Sequence, residues 1–163
     1  MDLSKILGGK LEKDFVVQMF KEQSEVFDAG LALALRDEQP LSWRATWILK
    51  HSMQKNDARV FPLIDELISM IPKRTESHQR ETINVLSKMT LNDEQEGKMF
   101  DLCMTLWENL NKPPAIRYVA FKFIYTVCEK YPDLNSELEF ICQEQYLETL
   151  SPGIKKSIMK LIG

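Results

Sequence analysis

Glu94, Lys98, Asp101, Thr105 and Glu108 follow one another at offsets of four, seven, eleven and fourteen residues, the spacing that lines side chains along one face of an α-helix. Asp65, Glu66 and Ser69 make a second stripe of this kind, and Glu137, Glu144 and Glu148 a third. Carboxylates repeated on helix faces attract cations, and an extended set of them suits a basic segment of a partner protein. The eight acids Asp65, Glu66, Glu94, Asp101, Glu108, Glu137, Glu144 and Glu148 are therefore the candidate binding ridge. The competing reading is a solvated face, because acids favour first turns and exposed faces carry charge in any case. Trp43 and Trp47, one turn apart in SWRATW, are the candidate aromatic anchor, since large aromatics dominate interface hot spots. Packing between helices is their alternative role.

Other reactive residue types lack the company that catalysis needs. His51 and His78 are the only histidines, and neither has a second His, Cys or carboxylate at i+4 in a recognisable ligand motif, so no metal site is expected. His78, beside a helix start near Arg80 and Glu81, reads as exposed. Cys103, Cys128 and Cys142 are odd in number and lie in apolar stretches without a CxxC, which reads as buried thiols in a reducing compartment. No G-x-S-x-G elbow occurs, and Gly8-Gly9-Lys10 lacks P-loop spacing and reads as a helix end. Ser69, Met70, Ile71, Pro72 and Lys73 loosely resemble the mobile Ser-x-x-Met-Pro-x-Lys loop of the fumarase and adenylosuccinate lyase superfamily. Here Ile71 separates methionine from proline, Lys73 follows Pro72 directly, and Arg74 and Thr75 stand where asparagine is expected, so the segment reads as a chance match. No catalytic residue and no cofactor are expected, and the chain reads as non-enzymatic.

The chain has 163 residues and a formal net charge of −3, which argues against indiscriminate binding to phosphate backbones. Its start, MDLSKILGGKLEKD, has an early acid and only a short apolar run, unlike a signal peptide. Lys or Arg interrupts the longest apolar stretches well short of the roughly 20 residues a membrane span requires. The expectation is a cytoplasmic protein with a protein partner, and neither nucleic acid nor membrane as ligand.

The elements that carry these residues read as helices throughout. Starts are legible at Ser24, at Asn92 with Gln95, at Ser136 with Glu139 as an S-x-x-E capping box, and at Ser151 with Pro152. Stops fall at Pro72, Pro132 and Gly163. Hairpins are predicted from Leu11 to Gln23 with Ser24 to Arg36, Ser42 to Lys55 with Pro62 to Ile71, Ser77 to Met89 with Asp93 to Leu110, and Pro114 to Lys130 with Ser136 to Leu150. An unpaired helix follows from Pro152 to Ile162. Arg44, Arg80, Arg117 and Lys155, near the starts of the first helices, recur at intervals of 36, 37 and 38 residues. The stretch IRYVAFKFIYTVC is apolar on several sides, so its helix must touch several neighbours, and Phe121, Phe123, Leu106 and Leu86 are expected in the core.

The starts SWRATWIL, SHQRETINVL, PPAIRYVAFKFI and SPGIKKSIMKLI, each with an early base and apolar residues after it, resemble the HEAT and armadillo type of helical repeat. The resemblance covers roughly Ser42 to Ile162, and more loosely the hairpin before it. It implies one all-α domain over residues 1–163, a right-handed α-α superhelix, or solenoid, of about four hairpins plus a C-terminal capping helix. First helices carry eleven bases against Glu81 and Glu129, whereas second helices carry eleven acids against Lys98 alone. Second helices line the concave face in such repeats, so the resemblance implies an acidic groove, a basic outer wall and a protein-interaction or scaffold role. A HEAT-like alkylpurine DNA glycosylase is the alternative, at odds with an acidic groove. A regulatory subunit without a groove ligand is a third reading.

Overall fold

The computed structural model describes residues 2–163, and every regular element among them is helical. The residues gather into two compact units, Met1–Gln95 and Glu96–Gly163.

The first unit opens with α1 (Leu3–Gly8), whose start is capped by the Asp2 carboxylate accepting from the Ser4 and Lys5 amides and whose end falls at the expected diglycine. α2 (Lys13–Glu22) and α3 (Ser24–Ala34) are separated only by the extended backbone of Gln23, which makes Ser24 the first residue of its helix. α4 (Leu41–Ser52) packs against α1, α2, α3 and α6 (Glu76–Leu86). α5 (Ile64–Met70) is short and sits between 3-10 turns at Phe61–Leu63 and Ile71–Lys73, each with a proline that lacks the amide needed to extend the ladder. Phe20 and Phe27 meet edge to face at 6.4 Å, and Gly30 presents bare backbone to the Phe20 ring. Arg59 lies 3.4 Å above Phe27 and is held there by a two-pronged bond to Asp57 at 2.9 and 2.8 Å.

α7 (Asp93–Glu108) begins at the end of the first unit, and its predicted start forms as read: the Asn92 amide donates to Gln95 Oε1 at 3.0 Å and the Gln95 amide to Asn92 Oδ1 at 2.8 Å. In the second unit α8 (Pro114–Lys130) and α11 (Pro152–Ile162) carry the predicted limits, each opened by proline at its first position. α8 buries residues from Ile116 to Cys128 on most of its circumference, leaving Lys122, Thr126 and Glu129 on the exposed strip. The expected core residues Phe121, Phe123, Leu106 and Leu86 are all buried, and Trp107 packs 4.8 Å from Phe121.

Two local expectations are corrected. The helix predicted from Ser136 to Leu150 is two helices, α9 (Asn135–Ile141) and α10 (Glu144–Leu147), because the Trp107 indole N–H takes the Ile141 carbonyl at 2.9 Å and removes it from the helical ladder. The capping box at Ser136 does not form: a 3-10 turn at Pro132–Leu134 feeds directly into α9, and the Ser136 hydroxyl donates to Glu137 instead.

A repeated contact ties a helix to one that precedes it in the chain, the adjacent one for α6 and α8 and α1 for α4. The fourth residue of α4, Arg44, donates to the Leu7 carbonyl at the end of α1 at 2.8 Å. The fourth residue of α6, Gln79, donates to the Ile71 carbonyl just past α5 at 2.9 Å. The fourth residue of α8, Arg117, donates to the Trp107 carbonyl near the end of α7 at 2.9 Å. The last carbonyls of a helix lack ladder partners, and Arg44 and Arg117 supply donors to carbonyls of this kind, whereas the Ile71 carbonyl also accepts the Arg74 amide at 3.2 Å. Arg80, one residue further along α6, instead bonds Glu81, and Lys155, fourth in α11, pairs with Glu144 at 3.0 Å.

Candidate functional site

All eight carboxylates of the predicted ridge are exposed. Asp65 and Glu66 lie on α5 and Glu94 at the start of α7, all in the first unit, where Gln95 donates to Asp65 Oδ1 at 3.0 Å. In the second unit Asp101 and Glu108 keep their place on one face of α7, with Thr105 between them also exposed. Glu137 is on α9, Glu144 opens α10, and Glu148 follows it. The break after Ile141 means that Glu137 does not share a continuous helix with Glu144 and Glu148.

The first-helix bases are used differently. Arg117 is fully buried, and besides Trp107 it donates to the Tyr146 carbonyl at 2.6 Å and Thr149 Oγ1 at 3.0 Å, with its guanidinium 4.5 Å from the Trp107 ring. Burial lowers its pKa. Lys50 and Arg80 both pair with the buried Glu81, at 2.7 and 3.2 Å, and the Lys88 ammonium donates to the Lys50 carbonyl. Lys130 pairs with Glu96 at 3.1 Å. Several of the bases predicted for an outer wall therefore bond carbonyls and carboxylates of the chain itself.

Trp43 and Trp47 are half-buried, with ring centroids 6.4 Å apart, and the ladder continues to His51, 5.9 Å from Trp47 and edge-on to it. Lys13 on α2 places its ammonium 5.8 Å from the Trp47 ring, and Arg44 lies 5.9 Å from Trp43. The spacing 43, 47, 51 already puts His51 on the tryptophan face. Nothing local could announce Lys13, which arrives through the packing of α2 on α4.

His78, expected at the surface, is fully buried. Its Nε2–H donates to the Ala34 carbonyl at 2.8 Å, and its Nδ1 accepts from Gln39 Nε2 at 2.9 Å, the tautomer required because Gln39 Oε1 already accepts the Trp43 amide. Burial holds its pKa below the ordinary value. Cys103 and Cys128 are buried free thiols, Cys142 is half-buried, and burial raises the pKa of each. Among the described residues no three His, Cys, Asp or Glu side chains gather as metal ligands. No helix among them is long and apolar enough to cross a membrane.

The model of a family described as HEAT repeat domain matches residues 3–162. No curated protein and no solved structure matches the chain.

Proposed function

The chain belongs to the HEAT repeat domain family, and on that premise we propose that it is a non-enzymatic scaffold module, a single repeat domain over residues 1–163, that binds a protein through its acidic second-helix faces. One observation carries the reading: the eight ridge carboxylates are exposed, while Arg117 is fully buried and the half-buried Lys50, Arg80 and Lys88 bond groups of the chain itself. The charge left for a partner on α5, α7, α9 and α10 is negative, and it suits a basic segment. The same faces would repel a phosphate backbone, which disfavours the glycosylase alternative.

Attraction of this kind mainly sets encounter rate and is screened over about 10 Å at 0.1 M salt. The test is capture of cellular proteins on the intact chain and on an Asp101→Lys, Glu108→Lys, Glu144→Lys variant, followed by titration with the captured partner at low and high salt. The variant should bind on the order of tenfold more weakly at low salt, lose most of its salt dependence, and melt close to the parent temperature. Equal binding by parent and variant at both salt concentrations reduces the ridge to a solvated face.

A further inference from the structure

The aromatic ladder of α4 lies in a positive field that the acidic-ridge reading does not use. Lys13 and Lys21 are eight residues apart and share a side of α2, whereas Phe15, Gln18 and Glu22 line a shallow depression on another side of that helix. Lys13 reaches the Trp47 ring, and Arg44 flanks Trp43. Behind them the bonds of Arg44 and Lys88 go to neutral carbonyls, and Lys50 and Arg80 share the single carboxylate of Glu81, so positive charge is left over. The titration behaviour reports the same crowding. His51 is pulled down first by burial and then by Lys13 and Lys50, with Glu81 opposing, and Lys88 is pulled down by burial and then by Lys50 and Lys21.

We propose that this face of the first unit, made by α2, α4 and α6, is a docking site for a short acidic protein segment. Its carboxylates meet Lys13, Lys21 and Arg44, and an apolar side chain of the segment lies against Trp43 and Trp47. Charge complementarity selects the occupant. A nucleic-acid strand fits less well, because strand binding uses free ring faces on which successive bases stack and a long track of cations along the backbone. Here Trp47 is already flanked by Trp43, His51 and Lys13, and the exposed cations are few. This site is separate from the acidic ridge, and its test leaves every ridge residue in place.

The experiment is a fluorescence-anisotropy titration of the full chain against three labelled probes: a Glu/Asp-rich peptide with one Leu and one Phe, the same peptide with Gln/Asn for every acid, and oligothymidine. The acidic peptide should bind, the Gln/Asn peptide and oligothymidine should bind at least about tenfold more weakly, and added salt should weaken the acidic complex. Lys13→Glu with Lys21→Glu should reduce acidic-peptide affinity by about tenfold or more, and Lys21→Glu alone, at an exposed position, should do so in part. The far-UV CD melt checks that both variants stay folded. Equal affinity for the acidic and Gln/Asn peptides, or unchanged binding by the folded Lys21→Glu variant, overturns the proposal. Preference for oligothymidine overturns it too, and assigns the face to a phosphate backbone.

Discussion

Replacing Arg117 with Met isolates the repeated side-chain-to-carbonyl contact in its most buried form. Methionine keeps much of the length and apolar contact of the side chain but removes every donor. Two carbonyls then lose their side-chain partner: that of Trp107, held at 2.9 Å, and that of Tyr146, held at 2.6 Å. The amide that would otherwise serve Trp107, at Asn111, is already committed to Asn109 Oδ1. An unsatisfied buried acceptor costs about 1 to 3 kcal/mol, so the two together cost about 2 to 6 kcal/mol. Relief from burying a charge with no carboxylate beside it returns part of that, since desolvation alone lowers the Arg117 pKa. The expected loss is about 3 kcal/mol, read as a lower urea midpoint at unchanged slope by far-UV CD. Arg117→Lys, which keeps the charge but not the fork, should lose about 1 to 2 kcal/mol. Lys156→Met, at an exposed position on α11, should stay within about 0.5 kcal/mol. If Arg117→Met also stays within about 0.5 kcal/mol of the parent, those carbonyls find water or another donor, and the contact is not a stabilising one.

Gly30→Ala would bring a methyl to 2.6 Å from Phe20 Cζ in a buried contact, so despite alanine's better helix propensity it should lower stability by about 1 to 3 kcal/mol in the same urea assay. The Arg59 bond, followed by backbone amides, holds the Asp57 pKa down to about 2, so its contribution is present above the ordinary carboxylate range near 4 and fades as pH falls through about 2. Asp57→Asn should therefore cost about 2 kcal/mol near neutrality, and urea curves for parent and variant should converge between about pH 4 and pH 2. His78, its pKa lowered chiefly by burial, binds its proton more readily unfolded than folded, so stability falls as pH drops below about 6.5. His78→Gln should remove that part of the slope, leaving the part due to His51, in a thermal-melt series across pH.

Which features could be read from the chain follows from the range of the forces that set them. The limits of α8 and α11 were legible because proline at the first position acts through the bonds of its own residue, and the Asn92–Gln95 cap spans only three residues. Helical spacing placed Asp101 and Glu108 together on an exposed face of α7, but the stripe from Glu137 to Glu148 assumed one continuous helix. The break at Ile141 was not, because the indole that takes its carbonyl belongs to Trp107, 34 residues away. His78 was misplaced for the same reason: its partners Gln39 and Ala34 are 39 and 44 residues distant. Arg117 was recognised as periodic, but its spacing carries no sign of whether a base faces water or a carbonyl.

The donors Arg44, Gln79 and Arg117 all reach back to main-chain oxygen of an earlier segment, not to one of its side chains. An acceptor of that kind is supplied by whatever residue occupies the position. Leu7 and Ile71 can change identity and still offer the same oxygen, subject to their own packing, whereas Trp107 is also held by the bond of its indole N–H to the Ile141 carbonyl. In a saturation-mutagenesis map the two ends of each contact should look unequal, with the donor column nearly intolerant and the acceptor column graded by size and hydrophobicity. The same inequality hides the contact from paired-substitution statistics, because no change at the acceptor compensates a change at the donor. A designer altering these helices can therefore exchange Leu7 or Ile71 within its size class, but must keep the fourth residue of α4 or α6 that bonds its carbonyl.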